Sequence, residues 1–140
     1  MSSNNTPSTI EQTFELLIKC MMQSKHQLIE IGSKYNLTAM QTMMLILLDN
    51  ARPMNSFTKL FACDASNVTG LVDGLESKNL ASRFPDKNDR RIKMVNLSSK
   101  GEEMRGKILD RLVKSNELYF KKLNKSEISQ LHNILSKLAY

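Results

Sequence analysis

The sequence predicts a mainly α-helical fold with one small β-hairpin, in a single domain that spans residues 1–140. Two observations support this prediction. Apolar residues recur every three or four positions along six segments, and between residues 80 and 97 this spacing gives way to alternation. The chain is 41% hydrophobic and 24% charged over 140 residues, which is typical of one globular domain with a real core.

The first predicted helix runs from about Ser8 to Ile31. Ser8 and Glu11 have the spacing of a capping box, in which the two side chains satisfy free amide groups of the first turn. We expect Gly32 to end this helix. Its apolar face comprises Ile10, Phe14, Leu17, Ile18, Met21, Leu28 and Ile31.

Two shorter helices follow. Thr38 and Gln41 repeat the capping box before an almost wholly apolar segment, residues 40–48, which should lie at the centre of the fold. Pro53 separates this segment from a further short helix at residues 56–62.

The fourth predicted helix begins after Asp64, which can cap it, and extends to about Asn79. Its buried face comprises Val68, Leu71, Val72 and Leu75. Its outward face is polar and comprises Ser66, Asn67, Thr69, Gly70, Asp73 and Lys78.

A hairpin comes next, because residues 80–85 and 92–97 alternate approximately in twos. The segment that joins them, Pro85–Arg91, has the sequence PDKNDRR and carries five charged side chains in seven residues.

Helical spacing returns after Ser98 and continues to about Leu123. Asn124 and Glu127 have capping-box spacing before a last helix, whose apolar positions are Ile128, Leu131, Ile134, Leu135 and Leu138. The first and last helices carry apolar faces that need a partner, and a two-fold related copy of the chain is the simplest one. We therefore expect residues 8–33 and 99–140 to form dimerisation helices.

The order of short helices, polar-faced helix and hairpin predicts a winged helix-turn-helix over residues 35–100. A helix that enters the major groove needs small polar groups at its start, which Ser66, Asn67 and Thr69 supply. Gly70 leaves space for the backbone to approach, and the free amides of the first turn attract phosphate. The alternative is that these residues are simply the solvent-facing side of an amphipathic helix.

The hairpin tip favours contact with DNA, because Lys87, Arg90 and Arg91 could place a guanidinium in the narrow minor groove. Asp86 and Asp89 would brace the arginines. The alternative is an ordinary solvated turn, since charged turns are common. Net charge alone does not decide: the whole chain carries +6, yet residues 64–91 hold five basic and five acidic side chains, a balance of zero.

Residues 64–101 resemble the MarR family of transcriptional regulators. The shared features are a capped recognition helix, an L-V-D-x-L-E segment at 71–76, a D-x-x-D-R-R wing at 86–91 and an L-[ST]-x-x-G segment at 97–101. The resemblance implies a homodimer that reads a palindromic site with two winged modules. It also implies that Ser66, Asn67 and Thr69 face the groove and that Arg90 and Arg91 belong to the wing.

The sequence also departs from the family pattern. Gly70 and Gly74 stand where many members carry a basic residue, so we expect weaker phosphate binding by the helix and more reliance on the wing. Cys20 lies later than the cysteine of peroxide-sensing members, and we expect Cys20 and Cys63 to be buried structural thiols. The two histidines are expected at the surface or at an interface; they are His26 and His132.

The family often binds small anionic or aromatic effectors between the dimer helices and the DNA module, and Met21, Tyr35 and Met44 could border such a cleft. The nine methionines could also suggest a cofactor box, but Met44 lies on the central helix, where core packing is the expected role. We predict no cofactor and no metal site, since the two cysteines have no metal-type spacing.

These observations predict a sequence-specific DNA-binding transcriptional regulator, a repressor that binds double-stranded DNA as a homodimer and is released by a small-molecule effector. The predicted DNA-contacting residues are Ser66, Asn67, Thr69, Gly70, Lys78, Arg83, Lys87, Arg90 and Arg91. The alternative is a winged-helix protein-interaction module without DNA binding. We predict no enzymatic activity, because no pairing of nucleophile and base, phosphate loop or paired carboxylates is evident. Neither a membrane helix nor a secretory signal is visible, so we expect the cytoplasm.

Overall fold

The computed structural model describes residues 8–139, so the polar stretch at residues 1–7 and residue 140 lie outside the described part. The predicted class is confirmed: the described residues form a mostly helical fold with a small antiparallel sheet. The elements in chain order are α1 (Thr9–Ser33), α2 (Ala39–Leu47), β1 (Arg52–Pro53), α3 (Ser56–Leu60), α4 (Ala65–Ser77), β2 (Ala81–Pro85), β3 (Lys93–Leu97), α5 (Ser99–Phe120) and α6 (Lys125–Ala139).

Local side-chain caps begin three of the helices as predicted. In each, the N-cap side chain accepts a hydrogen bond from the backbone N–H three residues on, and that residue's own side chain accepts one from the N-cap N–H. The reciprocal bonds satisfy amides that would otherwise have no partner at the helix start. The three pairs are Ser8–Glu11 for α1, Thr38–Gln41 for α2 and Asn124–Glu127 for α6.

The expectation that Gly32 ends the first helix was wrong, because α1 continues to Ser33. The chain turns afterwards, at Asn36, whose φ of 56° lies in the left-handed region. Gly32 is buried, and a Cβ atom there would overlap the hydroxyl of Thr42 on α2. The glycine therefore allows α1 and α2 to pack closely.

The sheet has three strands in the order β1-β3-β2, all antiparallel. The β2–β3 hairpin agrees with the prediction, and its register pairs Ala81 with Leu97 and Pro85 with Lys93. The sequence did not predict β1, whose two residues pair with the other side of β3. This third strand ties the middle of β3 to the segment before α3.

The core lies within residues 35–100, called the winged part below, and is closed by α5. Helix α2 is central as predicted, since Met44, Leu45 and Leu48 have no exposed surface. Side chains from α3, α4, β3 and α5 surround it and are equally buried; they include Phe57, Val72, Leu75, Val95 and Ile108.

The first and last helices differ from the winged part, because their apolar side chains are exposed in the single chain. No residue of α6 is buried. Ile10 is 82% exposed, and Leu138 is 71% exposed. Further exposed apolar residues are Phe14, Met21 and Met22 on α1 and Ile134 and Leu135 on α6.

Candidate nucleic-acid interface

Asp64 fixes the start of α4 and the polar groups that surround it. Its carboxylate accepts hydrogen bonds from the backbone N–H of Asn67 at 2.9 Å and from the hydroxyl of Ser66 at 2.7 Å. These two bonds hold the pKa of Asp64 below its ordinary value. The first turn of α4 therefore presents an ordered hydroxyl and a capped backbone.

The outward face of α4 is exposed where the sequence predicts DNA contacts. Ser66, Asn67, Thr69 and Gly70 all lie at the surface. The Thr69 hydroxyl donates to the carbonyl of Ala65 at 2.9 Å, which leaves its oxygen able to accept a further bond. Nothing lies within 4 Å of a Cβ atom built on Gly70, so the surface is open there.

Lys78 lies at the other end of α4 and is half-buried. Its backbone carbonyl accepts a hydrogen bond from the Lys100 ammonium group at 3.2 Å. Two lysines from α4 and α5 thus lie close together beside the base of the hairpin.

The hairpin tip is a compact turn that two aspartates organise in different ways. Asp89 accepts hydrogen bonds from the Arg91 backbone N–H at 3.0 Å and from its Nε at 3.2 Å. Asp86 was expected to brace an arginine as well, but its carboxylate accepts from the backbone N–H groups of Asn88 and Asp89. These bonds lower the pKa of Asp86 and shape the turn, because a carboxylate two residues before an N–H closes an Asx-turn.

The basic residues of the tip are exposed to solvent. Lys87, Arg90 and Arg91 all lie at the surface, and the side chain of Arg91 is 93% exposed. An exposed guanidinium beside a fixed turn can enter a narrow, electronegative groove.

Arg83 has a different environment from the one the sequence suggested. Its guanidinium donates to Glu76 Oε2 from Nε at 3.1 Å and from Nη2 at 2.7 Å, and it also pairs with Asp73. The bond with Glu76 is the main cause of a raised pKa for Arg83 and of a lowered pKa for Glu76. Arg83 therefore forms an ion-pair contact between β2 and α4 that the sequence did not predict.

A cleft of about 290 Å³ lies between α4, the start of α3 and the tip end of the hairpin. It brings Thr69 of α4 and Arg91 of the tip to one concave surface. It also includes residues that the sequence did not single out, namely Asn55, Thr58 and Lys93. Lys93 carried a signal, since it continues the basic run after the tip, but no sequence pattern indicates that Asn55 and Thr58 face the same cleft.

The three residues suggested for an effector cleft have different environments in the single chain. Met44 is fully buried in the core, because α2 is enclosed on most sides. Met21 is 57% exposed on α1. Tyr35 is half-buried, and its hydroxyl accepts a hydrogen bond from Arg111 Nε at 2.8 Å.

The expectation of buried thiols was wrong. Cys20 is exposed in the single chain, and its sulfur lies 3.2 Å from the hydroxyl of Tyr119 on α5. Cys63 is half-buried beside the core. His26 and His132 are both exposed, in agreement with their expected surface position.

No group of three His, Cys, Asp or Glu side chains within residues 8–139 is arranged to hold a metal ion. Within the same range, every helix is too short or too polar to span a bilayer.

Comparisons with known proteins agree with this fold. The family model described as "MarR family" matches residues 37–93, which hold the central helix, α4 and the hairpin tip. Two HTH-type transcriptional regulators of Bacillus subtilis are similar: YhbI is 25% identical and YpoP is 29% identical. The YhbI match covers 94% of this chain and 88% of YhbI, and the YpoP match covers 88% of each.

Solved structures extend the likeness to both end helices. Wild-type MarR from E. coli in its apo form has 28% identity and a TM-score of 0.65, with 89% of this chain and 94% of that chain covered. A transcriptional regulator of Rhodococcus sp. RHA1, described as MarR family, has a TM-score of 0.79 at 19% identity, with 96% and 99% covered. At that identity the second likeness concerns the fold alone.

Proposed function

We propose that this chain, a DNA-binding transcriptional regulator that belongs to the MarR family, acts as a homodimer that binds a palindromic operator and represses transcription. Residues 35–100 would read DNA, and residues 8–33 and 99–140 would form the dimer. We place this activity in the cytoplasm.

The observation that carries the proposal is the cleft shared by α4 and the hairpin. Thr69 and Arg91 line it together, so a helix in a major groove and a tip in the adjacent minor groove can engage the same duplex. Ser66, Asn67 and Gly70 are exposed on the first turns of α4, where they line a second depression. Lys87 and Arg90 are exposed at the tip, and Lys78 lies beside the base of the hairpin.

The exposed apolar faces of α1 and α6 support the homodimer. A single chain leaves Ile10 and Leu138 largely in water, and burying such side chains against a second copy is favourable. A two-fold dimer would place two recognition helices about 34 Å apart, which matches successive major grooves on one side of the duplex. Occupying those grooves would block a promoter sterically.

An effector would act through the spacing of the two winged parts. A small molecule that binds better to a dimer with the wrong spacing would shift the population away from the DNA-bound form. The contact between Tyr35 and Arg111 joins the start of the winged part to α5 and lies where such a shift would be transmitted.

The test is a titration of the protein against the DNA upstream of its own operon, repeated over a series of salt concentrations. We compare the wild type with the double variant Arg90→Ala/Arg91→Ala. Loss of two phosphate or groove contacts should weaken binding and reduce the slope of log K against log salt by up to about two.

The double variant Lys107→Ala/Lys114→Ala is the matched control, because it removes the same charge from α5, away from the cleft. It should leave affinity nearly unchanged. Equal binding by the wild type and the arginine variant would show that the tip does not touch DNA.

A protein-interaction module without DNA binding is the second candidate, and the zero net charge of residues 64–91 favours it. The same titration separates the two functions. Salt-insensitive or absent binding to every duplex would support the interaction module.

A further inference from the structure

Arg83 joins the hairpin to the recognition helix by both its side chain and its backbone. The guanidinium contacts Asp73 and Glu76, which lie one turn apart on α4. In addition, the Arg83 backbone N–H donates to Glu76 Oε1 at 2.9 Å. Both oxygens of the Glu76 carboxylate are thus used to hold β2.

We propose that Arg83 is a positioning residue for DNA binding, which holds the wing at a fixed distance from α4 so that both engage one duplex. This inference rests on the proposed function. It also replaces the expectation that Arg83 contacts DNA directly, since Arg83 acts through the wing that carries Arg90 and Arg91.

The position of Arg83 along the hairpin explains why its contacts with α4 matter for the placement of the tip. The base of the hairpin is fixed to α4 by the Leu80 N–H, which donates to the Leu75 carbonyl at 2.9 Å. On the far side of β3, β1 pairs with Val95 and Met94, opposite Arg83 and Phe84, but it ties β3 to the segment before α3 and not to α4. Beyond Arg83, the tip is closed by its own bonds, such as the Asp86 N–H to the Ile92 carbonyl at 2.9 Å. A fork of several hydrogen bonds midway along β2 therefore limits how far the tip can swing from α4.

Charge supports a geometric role over an electrostatic one. Asp73, Glu76 and Arg83 together carry one net negative charge, so the cluster does not attract phosphate. Asp73 also lies on the outward face of α4, with a side chain 56% exposed. Removing a carboxylate from this surface would favour DNA binding if only charge mattered. The positioning role predicts the opposite sign.

The deciding experiment measures the affinity of Glu76→Gln for the same upstream duplex. The variant keeps the shape of the side chain but removes the charge that holds the guanidinium. We expect affinity to fall about three- to tenfold, although the protein has become more positive. Asp73→Asn should change affinity in the same direction by less, because Asp73 accepts one hydrogen bond from Arg83 whereas Glu76 accepts three.

The matched control is Glu103→Gln, which breaks the pair between Glu103 and Lys107 on the surface of α5. It removes the same charge and should leave affinity equal or slightly higher. Unchanged or tighter binding of DNA by both Glu76→Gln and Asp73→Asn would overturn the proposal. The two carboxylates would then only neutralise Arg83, and their contacts with it would not position the wing.

A second measurement does not involve DNA and separates this inference from the proposed function. In the free protein, Glu76→Gln should speed hydrogen exchange at the Arg83 amide and through β2, with no change in α2. If hydrogen exchange throughout β2 of Glu76→Gln matched that of the wild type, Arg83 would not hold the hairpin to α4, even if DNA binding fell. A wild type that binds no DNA would defeat the proposed function, while exchange would still report whether Arg83 holds the hairpin.

Discussion

The winged part and the helical end, defined as α1, α6 and residues 109–120 of α5, bury their apolar side chains in opposite ways. In the winged part, Leu45, Phe57 and Val72 have no exposed surface. In the helical end, Phe14 and Leu138 are 62% and 71% exposed. The difference indicates that one region is complete within a single chain, whereas the other requires a second chain.

The helical end also has an internal contact that fixes its own geometry. Helices α1 and α5 are joined by a reciprocal amide pair, in which Gln27 Nε2 donates to Asn116 at 2.9 Å and Asn116 Nδ2 donates to Gln27 at 2.8 Å. Because an amide pair is satisfied in one alignment, it fixes the register of α1 against α5. Arg111 of this region donates to the Tyr35 hydroxyl of the winged part at 2.8 Å, so the helical end can set where each winged part stands.

Breaking the helical end should have the largest effect. The double variant Phe14→Glu/Leu138→Glu places charges on the surface that needs a partner, so we expect monomers by analytical ultracentrifugation and a loss of about a hundredfold or more in affinity for a palindromic duplex. Leu60→Glu makes the same change at an exposed apolar residue of α3, and it should remain dimeric. A dimer that survived the double variant would place the interface elsewhere.

A cavity in the winged part should have a smaller effect, and this effect should not depend on dimer formation. Leu45→Ala removes a fully buried side chain and should lower the free energy of unfolding by about 2–5 kcal/mol. Phe14→Ala should instead weaken stability in proportion to the loss of dimer, so its effect depends on protein concentration. Thermal unfolding at two concentrations checks both. If the thermal stability of both variants depended equally on protein concentration, the stability of the winged part would not be independent of the dimer.

Relieving backbone strain in the turn before α4 should have a smaller effect, and it should raise the free energy of unfolding. Ala62 has φ of 47°, in the left-handed region that glycine adopts without steric conflict. Ala62→Gly should therefore stabilise the winged part by up to about 1 kcal/mol and leave the oligomeric state unchanged. Denaturant unfolding measures this gain, and a destabilised variant would show that the side-chain methyl contributes more than the strain costs.

The smallest effect should be a dependence on acid confined to the winged part. Glu76 has a pKa below its ordinary value of 4.5, chiefly because Arg83 donates to it. A depressed pKa contributes stability that is complete above pH 4.5 and is lost as pH falls through the lowered value. Unfolding of Glu76→Gln should therefore depend less on pH below 4.5 than unfolding of the wild type. Identical profiles would mean that Glu76 does not stabilise the fold.

Local signals in the sequence predicted most of the elements. The caps at Ser8, Thr38 and Asn124 act on amides three residues away, so spacing alone reveals them. The hairpin was predicted for the same reason, because alternation is a property of neighbouring residues. Strand β1 was missed, since its two residues become a strand only by pairing with Val95 and Met94, some forty positions later.

The errors concern residues whose role depends on a distant partner. Arg83 was predicted to contact DNA because it is a basic residue of the hairpin, and only the fold brings it to Glu76 and Asp73. Cys20 was expected in the core because thiols are usually buried, yet it is exposed in the single chain, with its sulfur 3.2 Å from the Tyr119 hydroxyl. Gly32 was expected to stop a helix, but its small size serves packing against Thr42.

Selection of bound sequences from a random DNA pool tests the central claim most directly, that two self-contained winged parts are held at one spacing by a shared helical end. We predict a two-fold symmetric consensus whose half-sites lie about 10 base pairs apart, centre to centre. Recovery of a single half-site, or of half-sites at no fixed separation, would contradict it.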